Sequence, residues 1–256
     1  MAQHDASPSK TGSLPPKSRE VRLGLVMYGG VSLAIYINGV AREFYRAVRG
    51  ESVYKLIKAF TDSDIVVDII SGTSAGGING ILLGYALSNK ADFSTTAELW
   101  RNAGNIGALM HDPSKLGEEN LSVLDGEGYF QRQVQEAFRK MDDAGAKLRT
   151  ENGDWKADNI DLSPVDELDV FVTSTDLDGM VYTWFDAEQH AVDVKDHRAM
   201  FQLKFRRGRK NDFAAGGDPV GASTADYHRA LAKLSRMTSC FPAAFPPVRL
   251  LKKAKD

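Results

Sequence analysis

The residues with the clearest potential for chemistry in this sequence are a serine and the small residues around it. Gly72, Ser74 and Gly76 have the Gly-x-Ser-x-Gly spacing, after an apolar stretch and before a run of small residues. A serine becomes a useful nucleophile when a tight strand-to-helix turn exposes it and a neighbouring base takes its proton. We therefore predict a nucleophile elbow with Ser74 as the nucleophile, flanked by Gly72, Thr73, Ala75 and Gly76. The alternative is a glycine-rich turn that packs a helix against a sheet.

A pair of glycines, Gly29 and Gly30, follows the first apolar stretch and precedes a predicted helix. Backbone N–H groups at a helix start have no intrahelical partner, and the helix dipole makes this end partly positive. Such N–H groups can stabilise the oxyanion that forms during acyl transfer. We predict that Gly29 and Gly30 form an oxyanion hole opposite Ser74, with an ordinary tight turn as the alternative. The sequence has neither a G-x-G-x-x-G nor a P-loop pattern, which disfavours phosphate binding.

The base that would activate Ser74 is not evident among the five histidines. In an α/β-hydrolase triad the chain order is serine, acid, histidine, and His190, His197 and His228 satisfy that order. None of these three follows a strand in an obvious turn. We therefore predict that each is a surface histidine.

The elements that must position these residues alternate between strand and helix. Asp178-Gly179 is predicted to be the turn between two strands. The alternation favours an α/β fold with a mostly parallel central sheet. The pattern predicts strands over 21–27, 64–70, 168–175, 181–186 and 198–206, helices over 31–49, 52–60, 75–87, 95–102, 129–148 and 225–239, and loops over 111–128 and 207–224.

Composition places the chain among globular domains. Hydrophobic residues make up 43% of the 256 residues, and the formal net charge is −2, so there is no global case for nucleic-acid binding. No apolar stretch is long enough to span a membrane, and residues 1–20, rich in Ser, Pro and Lys, are predicted to be a disordered leader. The single cysteine, Cys240, cannot form an internal disulfide, which favours a cytoplasmic location and a small buried side chain.

Three segments in the correct order resemble bacterial patatin-like phospholipases. Asp68–Gly80 contains Gly-Thr-Ser-Ala-Gly-Gly, the form that the family's elbow usually takes. The strand Val170–Asp178 contains Thr-Asp-Leu, and Ser239–Pro247 is similar to the family's late segment ending in Phe-Pro-Pro. The resemblance extends from Val21 to the C-terminus. It implies a three-layer α/β/α sandwich and the hydrolysis of acyl esters in lipids.

Site roles follow from the resemblance. The family uses a Ser–Asp dyad, which implies that Ser74 is the nucleophile and that no metal or other cofactor is needed. The backbone N–H groups of Gly29, Gly30 and Val31 match the family's oxyanion loop, although this sequence lacks the arginine usual there. The implied partner is a lipid or phospholipid, with peripheral membrane contact. A basic run offers contacts to anionic headgroups, with a solvated loop as the alternative: Lys204, Arg206, Arg207, Arg209 and Lys210.

The family's catalytic aspartate lies in Asp-Gly-Gly or Asp-Gly-Ala, shortly after Phe-Pro-Pro. Asp125-Gly126 and Asp178-Gly179 precede that segment and are predicted to be turn residues. We therefore expect the aspartate beyond residue 256, and a patatin-like domain, residues 21–256, that is incomplete at its C-terminus. Two other functions stay open: a catalytically inactive lipid-binding or interaction module, and an acyltransferase on a related fold whose serine pairs with a histidine.

Overall fold

A five-stranded mixed sheet in the order β1-β2-β3-β4-β5 carries the fold. The computed structural model describes residues 19–103, 105–112, 122–151, 164–214 and 222–250. The predicted leader therefore lies outside the described residues except for residues 19 and 20, which belong to the first strand. The strands are β1 (Arg19–Met27), β2 (Ser63–Thr73), β3 (Glu167–Phe185), β4 (Ala191–Arg206) and β5 (Lys210–Asn211).

The first three strands are parallel, and the last two are antiparallel to their neighbours. Met27 is in register with Gly72, and Thr73 is in register with Thr173. The carboxyl ends of β1 and β2 therefore lie at one edge of the sheet, and β3 passes through the same edge. An α/β sheet of this kind places functional residues at that edge.

The helices connect and cover these strands. Helix α3 is buried along almost its whole length, which explains why its sequence is uniformly apolar and small rather than periodic. A single-turn π-helix, Gly126–Phe130, begins inside the predicted loop 111–128. The α-helices are α1 (Ala34–Val48), α2 (Val53–Thr61), α3 (Ala75–Asn89), α4 (Thr96–Ala103), α5 (Ile106–Leu109), α6 (Gln131–Glu151) and α7 (Thr224–Thr238).

The core lies between α3 and one face of the sheet. Ile70 from β2 and Leu168, Val170 and Val172 from β3 are fully buried on this face. Side chains alternate between the two faces of a strand, so their neighbours point to the opposite face, where Ile69 is half exposed. The predicted α/β fold class is confirmed.

The strand prediction was wrong at one position. Residues 168–175 and 181–186 are not two strands joined by a turn at Asp178-Gly179; they are parts of one long strand, β3. The Asp-Gly pair instead lies in an irregularity of the β3–β4 pairing between Thr175 and Met180, where Gly179 has φ +68°. Pairing with β4 on both sides of this irregularity continues the strand, and the reversal occurs at residues 186–190.

Candidate active site

Ser74 lies at the junction of β2 and α3. Its backbone has φ 55° and ψ −125°, a conformation that residues with a side chain rarely adopt. Such a conformation costs on the order of 1–3 kcal/mol and persists where the surrounding structure enforces it. The side chain is half-buried at the carboxyl end of β2. This is the strand–turn–helix setting that a nucleophile elbow requires.

Close backbone packing around the elbow explains the glycines there. A Cβ atom on Gly76 would lie 2.1 Å from the carbonyl oxygen of Met27, at the end of β1. A Cβ atom on Gly72 would lie 2.5 Å from the carbonyl oxygen of Gly76. Both separations are far below van der Waals contact, so a larger residue at either position would force the backbone apart. Thr73 is exposed, and its hydroxyl hydrogen-bonds that of Thr173 on β3.

The loop between β1 and α1 passes directly beside Ser74. A Cβ atom on Gly29 would lie 2.8 Å from the Cβ and 3.5 Å from the Oγ of Ser74. Gly30 has φ +144°, and its carbonyl oxygen accepts a hydrogen bond from the N–H of Leu33 in a tight turn. Of the predicted loop residues, the structure therefore brings Gly29 to Ser74, with Gly30 and Val31 following in the turn that leads into α1. The Val31 side chain is 95% exposed.

Thr238, the last residue of α7, holds the elbow from the other side. The backbone N–H of Ser74 donates a hydrogen bond to Thr238 Oγ1 at 2.9 Å. The Thr238 hydroxyl donates in turn to the carbonyl oxygen of Thr173 at 2.7 Å. Because the Ser74 N–H is thereby occupied, the N–H groups at the start of α3 that remain for a ligand begin with Ala75. Sequence reasoning missed Thr238, although it directly precedes the segment Ser239–Pro247.

A buried asparagine ties the starts of α1 and α3 together. Asn79, one turn into α3, is fully buried. Its amide nitrogen donates to the carbonyl oxygen of Ala75 at 3.0 Å and to that of Ala34 at 3.2 Å. Ala34 is the first residue of α1, directly after the Gly29 loop, and Ala75 directly follows Ser74. Asn79 therefore fixes the loop relative to the elbow.

The acceptor side of the Asn79 amide is also satisfied. Its oxygen accepts hydrogen bonds from the amide of Asn38 at 3.0 Å and the indole N–H of Trp100 at 3.1 Å. Asn38 additionally donates to the hydroxyl of Thr96 at 2.8 Å. All four side chains are buried, so each lost partner would leave a polar group without water. We call Asn38, Asn79, Thr96 and Trp100 the amide cluster.

The histidine prediction was wrong for His228, which is buried rather than at the surface. Its Nε2 lies 2.7 Å from the hydroxyl of Tyr85 and 3.0 Å from a carboxylate oxygen of Asp142. Burial, together with the Asp142 carboxylate, raises the pKa of the Tyr85 phenol, so Tyr85 stays neutral. The apolar face of α7 carries His228 inward to join α3 and α6. His190 and His197 are exposed, as predicted.

Among the described residues, no side chain hydrogen-bonds the Oγ of Ser74. The Asp125 carboxylate accepts from the N–H of Gly128 and caps the π-helix. Asp178 lies in the irregularity of β3, where its N–H donates to the carboxylate of Asp176. The described residues also include no group of three or more His, Cys, Asp or Glu side chains that could hold a metal ion.

The Phe-Pro-Pro segment is held by a buried arginine. Arg236 is fully buried, its guanidinium lies 4.5 Å from the ring centroid of Phe245, and it donates to the carbonyl oxygen of Pro246. Cys240 is half-buried, not fully buried as predicted, and its sulfur lies 3.3 Å from the carbonyl oxygen of Pro246. Arg236 precedes Thr238 by two residues, so the same end of α7 supports the elbow and the Phe-Pro-Pro segment.

Comparison with known proteins identifies the family to which this site belongs. The family model for patatin-like phospholipases matches residues 25–254. The chain belongs to the patatin-like phospholipase family. The predicted resemblance is thus confirmed, and the family acts in general as lipid acyl hydrolases.

This patatin-like chain is also similar to a Mycobacterium tuberculosis protein described as the uncharacterized membrane protein Rv3479. The two are 28% identical over 254 residues, which is 90% of this chain and 21% of that protein. The chain therefore spans about a fifth of the length of this curated relative. No solved structure matches the chain. In the described ranges, none of the helices has the length and apolar character needed to cross a membrane.

Proposed function

We propose that this chain carries the nucleophile of a lipid acyl-ester hydrolase of the phospholipase A type, and that Ser74 is that nucleophile. The observation that carries the proposal is the strained backbone of Ser74 at a strand-to-helix junction, with Gly29 packed against its side chain. This arrangement presents a hydroxyl next to backbone N–H groups, which is the minimum that acyl transfer requires.

The proposed reaction has two steps. A base removes the Ser74 Oγ proton while Oγ attacks the ester carbonyl carbon, and the leaving alcohol takes the proton as the ester C–O bond breaks. Water then attacks the acyl-enzyme and releases the fatty acid. N–H groups of the Gly29–Val31 loop and of Ala75 would stabilise the oxyanion, each by about 3 kcal/mol. The family resemblance makes the base an aspartate, and the proposal draws it from outside the described residues.

A lipid substrate is consistent with the surroundings of Ser74. From Leu23 to Ala41 the chain contains no Asp, Glu, Lys or Arg. This stretch ends β1, forms the loop beside Ser74 and begins α1. An acyl chain approaching Ser74 from this side would meet apolar side chains and no charge. The proposed partner is therefore a lipid, reached by peripheral contact with its aggregate.

Labelling with a fluorophosphonate, which reacts with activated serines, tests the proposal. The protein from its native source is compared with Ser74→Ala and with the control Ser71→Ala, a half-buried serine three residues earlier. We expect labelling of the native protein and of Ser71→Ala, and none of Ser74→Ala. Labelling that survives in Ser74→Ala would refute the assignment of the nucleophile.

A catalytically inactive lipid-binding module is the second candidate. The observation that favours it is the lack of a hydrogen-bonded base at Ser74 among the described residues. Its signature is vesicle binding by a folded native protein that neither reacts with the fluorophosphonate nor releases fatty acid. An acyltransferase would instead give a product that depends on an added acceptor alcohol.

A further inference from the structure

Three neighbouring parallel strands deliver distinct features to one edge of the sheet. At this edge β1 ends in the loop containing Gly29, and β2 ends at Ser74. Strand β3 does not end there: Thr173 is level with Thr73, and β3 continues to Phe185. We call this the nucleophile edge, defined by Met27, Thr73 and Thr173.

Beyond the nucleophile edge, β3 and β4 form a two-stranded ribbon. We call it the β-arm: residues 180–185 of β3 paired with residues 191–196 of β4. Six residues of a strand span about 17–20 Å, so the β-arm projects well past the sheet on the side of Ser74. It leaves the sheet after the irregularity at Gly179, which lets its direction differ from that of the sheet.

One face of the β-arm is apolar and exposed. Residues directly opposite in an antiparallel pair share a face, so Tyr182 with Val194 and Trp184 with Val192 lie together. Met180 extends this face and is 70% exposed, and Trp184 is 62% exposed. Trp and Tyr combine an apolar ring with a polar tip, which suits the boundary between lipid and water.

The loops around Ser74 add to the same exposed apolar surface. Val31 is almost fully exposed two residues after Gly29, and Tyr28 is exposed immediately before it. Phe241, three residues after Thr238, is 71% exposed. These side chains belong to the segments that contact Ser74. Exposed apolar patches of this size on a soluble domain mark interaction sites.

Charge restricts the kind of surface that fits. Between Asp176 and Arg198, the segment that contains the β-arm carries six carboxylates against one lysine and one arginine. An anionic surface would repel this segment. The basic run lies at the other end of β4, where Arg206 pairs with Asp169 at 2.7 Å. A surface of zwitterionic lipid combines an apolar interior with no net charge, and both match the β-arm.

We propose that the apolar face of the β-arm docks on the surface of a zwitterionic phospholipid aggregate and holds Ser74 next to it. The proposal rests on the proposed lipid hydrolase function. The two are tested separately, because docking is measured as vesicle binding in a Ser74→Ala background and hydrolysis on a water-soluble short-chain ester. Loss of one leaves the other measurable.

Flotation with phosphatidylcholine vesicles tests the docking. The test variant is Met180→Ser with Trp184→Ser, and the matched control is Phe60→Ser, an exposed aromatic residue on α2. Because Phe60 lies just before β2, at the other edge of the sheet, it should not touch the lipid. We expect the test variant to bind at least about tenfold more weakly and the control to bind unchanged. Both variants should hydrolyse the soluble ester at the normal rate.

Tryptophan fluorescence provides a second readout that does not require a destabilising change. Vesicles should shift the emission to shorter wavelength, and brominated phosphatidylcholine should quench it. Trp184→Phe should abolish the shift while binding persists. Binding that requires phosphatidylglycerol, or that is equal in the test variant, would overturn the proposal. So would a β-arm whose substitution dissolves a dimer in the absence of vesicle binding, since the arm would then join two copies of the chain.

Discussion

The two edges of the sheet are held by different kinds of interaction. At the nucleophile edge, contacts are neutral and close: Gly76 against Met27, Ser74 N–H to Thr238, and the amide cluster behind them. At the opposite edge, where β1, β2 and β3 begin, exposed ion pairs dominate. They join Arg22 to Asp68 (3.1 Å) and Glu167 (3.2 Å), Arg206 to Asp169 (2.7 Å), and Arg207 to Asp166 (2.9 Å).

The difference follows from what each edge must achieve. Exposed ion pairs contribute little free energy, are screened by salt and tolerate side-chain motion. Buried neutral hydrogen bonds and direct backbone packing allow little movement, because any displacement leaves polar groups unpaired or atoms overlapping. A nucleophile needs its oxyanion donors within tenths of an ångström. Neutral packing at the nucleophile edge can supply that restraint, and surface charge cannot.

The strongest test of this comparison is Gly76→Ala. The new methyl group would overlap the Met27 carbonyl oxygen, so we expect a loss of about 4 kcal/mol or more of unfolding free energy, and no fluorophosphonate labelling. The control is Gly39→Ala in α1, where a Cβ atom meets nothing within 4 Å. It should raise stability by about 1 kcal/mol through helix propensity. Urea unfolding measures both, and equal stabilities would show that the elbow is not closely packed.

Asn79→Ala tests the amide cluster. It leaves the indole N–H of Trp100 and an amide hydrogen of Asn38 unpaired in the core, so we expect a loss of about 3 kcal/mol. Labelling of the remaining folded protein should also slow, because the Gly29 loop loses its tie to α3. Asn89→Ala, half-buried at the other end of α3, is the control and should cost about 1 kcal/mol with normal labelling. Equal effects in the two variants would contradict a special role for Asn79.

Thr238→Val tests the bond to the Ser74 backbone. Valine keeps the shape of threonine but cannot accept from Ser74 N–H, so we expect a loss of about 1–2 kcal/mol and labelling about tenfold slower. Thr238→Ser retains the hydroxyl and should restore most of the labelling rate. Slow labelling in both variants would indicate that the methyl group, and not the hydrogen bond, supports the elbow.

The smallest effect is expected at the opposite edge. Arg206→Gln removes the pair with Asp169, and about a third of the arginine side chain is exposed. We expect a loss below about 1 kcal/mol, smaller still in 1 M salt, and unchanged labelling. A loss as large as that of Asn79→Ala would remove the distinction between the edges.

Much of the fold could be predicted because its elements are written locally. The β-branched residues of β2 and the small residues of α3 identify both elements without any partner. The β3–β4 hairpin could not be predicted in the same way. Asp178-Gly179 has the chemistry of a turn, and only the pairing of residues 180–185 with 191–196 turns it into an irregularity within one strand.

Sequence alone determined the nucleophile candidate and the family, because Gly72, Ser74 and Gly76 are adjacent and their spacing encodes a local turn. The tertiary structure decided what surrounds them. Gly29, Asn79 and Thr238 reach Ser74 or its neighbours through contacts between α1, α3 and α7, and His228 turns inward for the same reason. Local spacing carries no information on which distant segments will pack together, since that is fixed by burial of the whole core.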